Sequence, residues 1–153
     1  MRPGDRLVCV FVRPRRVDNR FKQWPLHITI VPWFRVDLPA VELASGLKEA
    51  LVGSHPFDVK VGEEAWFGYR RHKQVSLVEA EPLMRLEGQT RRFLHVHKAW
   101  VVDEADKTRR KFRPHVTVQQ DDRLQRGDVF RCDRLYVVEQ HGEYKEVERI
   151  INL

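Results

Sequence analysis

The sequence predicts an α+β protein of two similar lobes, and three observations carry that reading. The tetrad His27-Ile28-Thr29-Ile30 has a twin in His115-Val116-Thr117-Val118. Around the two tetrads lie several apolar runs of strand length, bounded by turn residues. Two stretches with apolar residues at helical spacing interrupt those runs. Each half of the chain thus holds one tetrad strand, one helix and further strands, and the economical packing sets the two tetrads face to face. A chain of 153 residues suits one buried unit, 1–153, made of two lobes.

Taken in order, Leu7 to Val12 is a continuous β-branched run, suited to a central strand covered on both faces. The polar and basic stretch from Arg15 to Trp24 has neither period and reads as a loop that brings Arg20 and Lys22 toward His27. Alternation puts His27 and Thr29 on one face of the next strand and Ile28 and Ile30 on the other. Pro32 cannot donate to a ladder, so that strand is expected to end at Val31-Pro32-Trp33-Phe34. Leu38 to Val52 predicts a helix with Pro39 in its first turn, Val41, Leu43, Ala44, Leu47 and Leu51 as its apolar stripe, and Gly53 as its stop. A meander of three strands follows, Phe57–Val61, Ala65–Tyr69 and Val75–Val78, with turns at Gly62-Glu63-Glu64 and Arg70 to Lys73. Pro82 opens a second helix, despite Gly88 in its middle, and Trp100-Val101-Val102 ends it or begins a loop. Asp103 to Arg113 is a polar, basic approach to His115 that mirrors the approach to His27. Two closing strands are expected, Val129–Glu139 with a bulge near Asp133-Arg134, and Tyr144–Leu153, joined by Gln140 to Glu143.

Composition narrows the function classes. With 42% hydrophobic and 33% charged residues the chain is globular in type, and no run reaches the ~18 apolar residues of a membrane helix. No secretory leader is legible at the N-terminus, so a cytoplasmic protein without membrane contact is expected. Cys9 and Cys132 lack metal or redox spacing and read as buried free thiols. The net charge of +6 favours an anionic partner, nucleic acid or a phosphate ester.

The tetrads allow a definite chemistry. Two imidazoles facing one cleft, one neutral and one protonated, can serve as general base and general acid on opposite sides of a phosphorus centre. Thr29 and Thr117 hydroxyls beside them can hydrogen-bond the non-bridging oxygens. The scheme needs no metal and no cofactor. His95-Val96-His97 suggests metal ligation, but residues two apart on a helix do not share a face. His55, His72 and His141 fall at predicted turns and read as solvent-exposed.

The paired tetrads, the run Arg113-Pro114-His115-Val116-Thr117-Val118 and the C-terminal pattern of Leu135, Val137, Gly142 and Tyr144 resemble the 2H phosphoesterase superfamily, which includes the bacterial 2′-5′ RNA ligase and RNA 2′,3′-cyclic phosphodiesterase group. The resemblance implies a bilobal fold of two pseudo-symmetric antiparallel sheets with outer helices, whose central groove opens a cyclic phosphodiester without metal. It also implies that His27 protonates the leaving oxygen, His115 activates water, and Thr29 and Thr117 hold the phosphate. After the first tetrad that bacterial group usually carries an aromatic followed by Leu-Gly; Val31-Pro32-Trp33-Phe34 resembles other branches instead.

The substrate would be RNA with a cyclic phosphate end or a small cyclic nucleotide, and the protein a monomer. Trp33, Phe34 and Tyr144 are candidates to stack a base, with core packing the competing reading for Phe34. Arg113, two residues before His115, is the candidate phosphate ligand within the basic loop Lys107–Arg113, which otherwise reads as a solvated loop. Ligation by attack of a 2′-hydroxyl, and a non-catalytic RNA-binding module of the same fold, are the alternatives.

Overall fold

In the computed structural model, residues 1–106 and 111–153 are described; most of the basic run Lys107–Arg113 lies outside the described residues. The elements are β1 (Arg6–Phe11), β2 (Arg20–Phe21), β3 (His27–Arg35), α1 (Ala40–Ala50), β4 (Phe57–Phe67), β5 (Lys73–Glu79), α2 (Glu81–Val96), β6 (Trp100–Val101), β7 (His115–Thr117), β8 (Val129–Cys132), β9 (Arg134–Gln140) and β10 (Lys145–Asn152). They form two antiparallel sheets, one of six strands in the order β2-β10-β9-β1-β3-β6 and one of four in the order β7-β5-β4-β8. The first tetrad lies in the larger sheet and the second in the smaller.

Chain order and sheet membership interleave. The chain passes from the large sheet to the small one after β3, returns for β6, leaves again for β7 and β8, and returns for β9 and β10. The lobes are therefore spatial units, not the two halves of the sequence. The last crossing explains one difference from expectation. The segment 129–139 is not one bulged strand but two strands in different sheets, with Asp133 alone between them. The parity change between Cys132 and Leu135 thus marks a change of sheet.

Two further boundaries differ for local reasons. β3 does not stop at Pro32 but continues to Arg35. Between the pairs Arg6–Phe34 and Val8–Val31, Leu7 of β1 faces both Pro32 and Trp33 of β3, so Pro32 falls in a bulge where no ladder donor is required. Likewise Gly62 to Glu64 is an irregularity inside one eleven-residue strand, β4, not a turn.

α1 buries Leu43 and Leu47 and leaves Val41 exposed in its first turn; α2 buries Leu83, Leu86, Thr90 and Leu94. Both pack on the large sheet, α1 over β10 and α2 over β3, and on each other. A core joins their leucines to Ile28, Ile30, Phe34, Leu135 and Val137 of the large sheet and to Val59, Val61, Val78 and Val116 of the small one. No helix among the described residues is long and apolar enough to cross a membrane.

Two glycines distinguish contact from exposure in these helices. A Cβ on Gly46 would meet the Phe93 ring at 2.6 Å, so the close approach of α1 to α2 depends on the missing side chain. A Cβ on Gly88 would meet nothing within 4 Å. Gly88→Ala is therefore expected to stabilise the protein by about 0.5–1 kcal/mol through helix propensity, while Gly46→Val costs about 1–3 kcal/mol of overpacking. Urea denaturation of the two variants checks the opposite signs.

Candidate functional site

The second face of the large sheet carries an aromatic layer. In the β1–β3 register Phe11 lies opposite His27 and Cys9 opposite Thr29, so all four share that face. Buried there are Leu7, Cys9, Phe11, Phe21, Tyr136, Val138 and Val147, with Trp24 and Trp33 packed against them. His27 is the polar group set into this layer. Its ring stacks on Trp24 with centroids 4.2 Å apart and planes 28° apart, and Phe11 stands 6.3 Å away.

The small sheet presents the second tetrad in the same way. β7 pairs with β5 so that His115 faces Leu77 and Thr117 faces Val75, which places both polar side chains on the face of Ala65 and, farther along the hairpin, Phe67. His115 meets the Phe67 ring edge-on at 4.7 Å. β3 and β7 lie side by side without sharing a ladder, one from each sheet. Between the sheets opens a cavity of about 1170 Å³ to which Thr29, Pro32, Phe67, Arg113 and His115 contribute.

The two imidazoles are held alike. Nδ1–H of His27 donates to the Pro25 carbonyl at 2.8 Å, and Nδ1–H of His115 donates to the Arg113 carbonyl at 2.8 Å. In each case the acceptor is two residues back. A carbonyl can only accept, so Nδ1 carries the hydrogen and Nε2 is left to exchange a proton.

The surroundings of the two rings are unequal. Burial pushes His27 down to about 4, against the pull of the Pro25 carbonyl and with the charge of His115 adding to the fall. Burial also lowers His115, opposed by the Arg113 carbonyl and reinforced by the positive charges of Lys73 and Arg113. A protonated His115 thus acts directly against a proton on His27, as two groups of one site would.

The remaining predicted residues are distributed less evenly. Arg113 lines the cavity with its guanidinium 4.8 Å above the Phe67 ring. Trp33 is partly buried behind Trp24, 6.2 Å from it, and Phe34 is fully buried in the helix-side core. Arg20 bonds Glu146 at 3.1 Å and lies over Tyr144, which stacks on His141 at 5.0 Å. Register places Arg20 and Glu146 on the side opposite Phe21 and Val147, away from the aromatic layer. His141 is half-buried there between Glu139 (2.8 Å) and Glu146 (3.0 Å), not exposed as its turn position suggested. Lys22 is exposed in a bend.

Sequence reasoning missed Trp24, Phe67 and Lys73, which surround the two imidazoles, and Lys145, whose ammonium lies 5.7 Å from the Trp24 ring centre. Trp24 carried a usable signal, an aromatic three residues before His27 at the end of a basic loop.

The fold is shared with solved structures of low sequence identity. TT0787 of Thermus thermophilus superposes with a TM-score of 0.63 at 18% identity, with 97% of each chain covered. Escherichia coli LigT, solved in complex with NADP+, gives 0.64 at 12% identity over 100% of this chain and 99% of the other. Kluyveromyces marxianus Usb1 gives 0.53 at 11% identity, covering 99% of both. No curated protein matches this chain significantly in sequence. The family model described as the 2′-5′ RNA ligase superfamily matches residues 6–143, a span that contains both tetrads and both helices and reaches into both sheets. The chain therefore belongs to the 2′-5′ RNA ligase superfamily, and its fold is that of the 2H phosphoesterases.

Proposed function

We propose that the protein is a phosphodiesterase that opens a 2′,3′-cyclic phosphate, on an RNA end or a nucleotide, by acid–base catalysis between His27 and His115. The observation that supports this most is the matched pair of imidazoles, each fixed through Nδ1 to a carbonyl two residues back, which leaves Nε2 as the nitrogen that can exchange a proton. Thr29 and Thr117, two residues beyond each histidine on the same strand face, hold the non-bridging oxygens. Arg113 at the cavity wall adds positive charge beside the phosphate.

The unequal packing favours one division of the roles. His27, lowered further, is the imidazole that stays neutral when the site holds a single proton. It takes the proton of the attacking water as the new P–O bond forms. His115 carries the shared proton and delivers it to the ribose oxygen as the old P–O bond breaks. This exchanges the two roles that the family resemblance implied. The chemistry needs neither metal nor cofactor, and the reading takes the chain as one catalytic unit in which both sheets contribute.

The test is a panel of 2′,3′-cyclic nucleotides, cyclic-phosphate-ended RNA and 2′,5′-linked oligomers, incubated with purified protein in the presence of EDTA. Turnover of the cyclic phosphates by the wild type, absent from a His27→Ala/His115→Ala double variant, is expected. No turnover, or equal turnover by the double variant, rejects the reading. The pH dependence supplies a second check, because kcat/KM follows the free enzyme's essential groups. Below about 4 the base is protonated, and above the value of His115, itself under 6.5, the acid is lost. A bell with its maximum below pH 6.5 is expected. A flat profile from about pH 5 to 9 counts against the pair.

A further inference from the structure

The phosphoesterase reading leaves the substrate's length open, and the wall of the cavity formed by the β4–β5 hairpin bears on it. We infer that the tip of the β4–β5 hairpin is a docking arm for single-stranded RNA, so that the substrate is an oligonucleotide end and not a free cyclic nucleotide. This rests on the phosphoesterase reading for the nature of the reacting group.

The arm combines stacking surface with positive charge. Trp66 and Tyr69, large aromatics 55% and 78% exposed, both line the cavity, as does Arg71. Arg70 lies 5.3 Å above the Tyr69 ring, and Lys73 follows on the strand that carries the ladder to His115. Aromatic faces interleaved with cations are what a single strand uses, because every base has a π-face and every nucleotide a charge. The cavity is also larger than the roughly 300–1,000 Å³ that enclose one small ligand.

The tip is held in a costly conformation. Arg70 and Arg71 are consecutive non-glycine residues in the left-handed region, at φ 56° and 51°. The amide of Arg71 donates to the Gly68 carbonyl at 3.0 Å, and Nδ1–H of His72 donates to the Tyr69 carbonyl at 2.6 Å, which fixes the turn. Such strain collects where a surface is used.

The opposite wall gives the direction. There Arg91 is surrounded by acids, with Glu87 at 3.0 Å, Asp103 at 2.7 Å and Glu104 at 3.7 Å, and Glu87 and Asp103 line the cavity. The charge of Arg91 is thus already engaged by acids, and the cations that line the cavity beside it are Lys111 and Arg113, on the approach to His115. A strand whose end sits between His27 and His115 therefore finds exposed groups at Tyr69, Arg70 and Arg71 of the hairpin rather than at Arg91 of α2.

The test compares an RNA octamer ending in a 2′,3′-cyclic phosphate with a 2′,3′-cyclic mononucleotide, for the wild type, Tyr69→Ala and Arg70→Asn/Arg71→Asn. Asparagine tolerates the left-handed conformation, so the double variant keeps the turn. kcat/KM for the octamer is expected to fall by about tenfold or more in each variant, with the mononucleotide changed by less than about twofold. Binding of a fluorescent octamer with a 3′-phosphate end provides a readout independent of turnover. The slope of log K against log salt is expected to become less negative by about 1.4 in the double arginine variant, about 0.7 per lost phosphate contact, and to stay unchanged in Tyr69→Ala. Equal losses on both substrates, unchanged slopes, or octamer binding no tighter than mononucleotide binding would overturn the arm. If the wild type turns over neither substrate, the phosphoesterase reading falls and the binding slopes alone decide the arm.

Discussion

Alanine at His27 or at His115 is expected to lower turnover of a 2′,3′-cyclic phosphate by ~10²–10⁴ each, the usual worth of one positioned proton-transfer group. The double variant should fall little further, because base and acid act on the same transition state and the loss of either disables the unit. Single-turnover kinetics on the three variants measure this. Independent, multiplying losses would mean that the histidines act in separate steps. Thr29→Val should cost less than either histidine, since the phosphate keeps Thr117 and Arg113. The two single variants also differ in pH dependence. His115→Ala removes the alkaline limb of the bell, and His27→Ala removes the acidic limb that begins near pH 4. The reverse pattern would restore the roles that the family resemblance implied.

Phe11→Ala is expected to cost about 3–5 kcal/mol of folding stability, a large share of the roughly 5–15 kcal/mol that a domain has. Phe11 is 3% exposed and sits at the centre of the aromatic layer, 4.8 Å from Tyr136, 6.0 Å from Phe21, 6.3 Å from His27 and 6.5 Å from Trp24. The informative comparison is Phe34→Ala, a fully buried phenylalanine from β3 that packs in the helix-side core. Guanidinium denaturation should show similar losses for the two. Titration of the imidazole by NMR should separate them. Opening the layer beside His27 admits water and moves its pKa up from about 4 toward 6.5 in Phe11→Ala, while Phe34→Ala leaves it in place. Equal shifts in both variants would show that global loosening, and not the aromatic layer, governs the imidazole.

Much of this was legible in the chain because local rules and the fold agree. Alternation alone put His27 with Thr29 and His115 with Thr117, and the helical spacing of Leu43 and Leu47 identified the buried stripe of α1. What local rules could not supply was pairing. Pro32 reads as a terminator until the partner strand is seen to pair around it, and Gly62 to Glu64 reads as a turn until β5 is seen to continue past it. Asp133 reads as a bulge until its two flanks are found in different sheets. The same holds for the site. Proximity in sequence brought Arg20 and Lys22 forward, but the parity of β2 turns Arg20 toward Glu146 and its neighbour Phe21 toward the aromatic layer. Trp24 and Phe67 matter through ring contacts that only the folded chain defines.

The single residue between β8 and β9 bears on how the groove can move. One residue spans at most about 3.6 Å, so at Asp133 the two sheets are tied by a strut with almost no slack. The Leu153 amide bonds the Asp133 carbonyl at 3.0 Å and removes what freedom remains. Elsewhere an exposed ion pair joins the segment after β1 to the segment after β7, Arg13 to Asp122 at 2.9 Å, and such a pair holds weakly. The two sheets that carry the imidazoles are thus held to each other at one short covalent corner, beside the core they share.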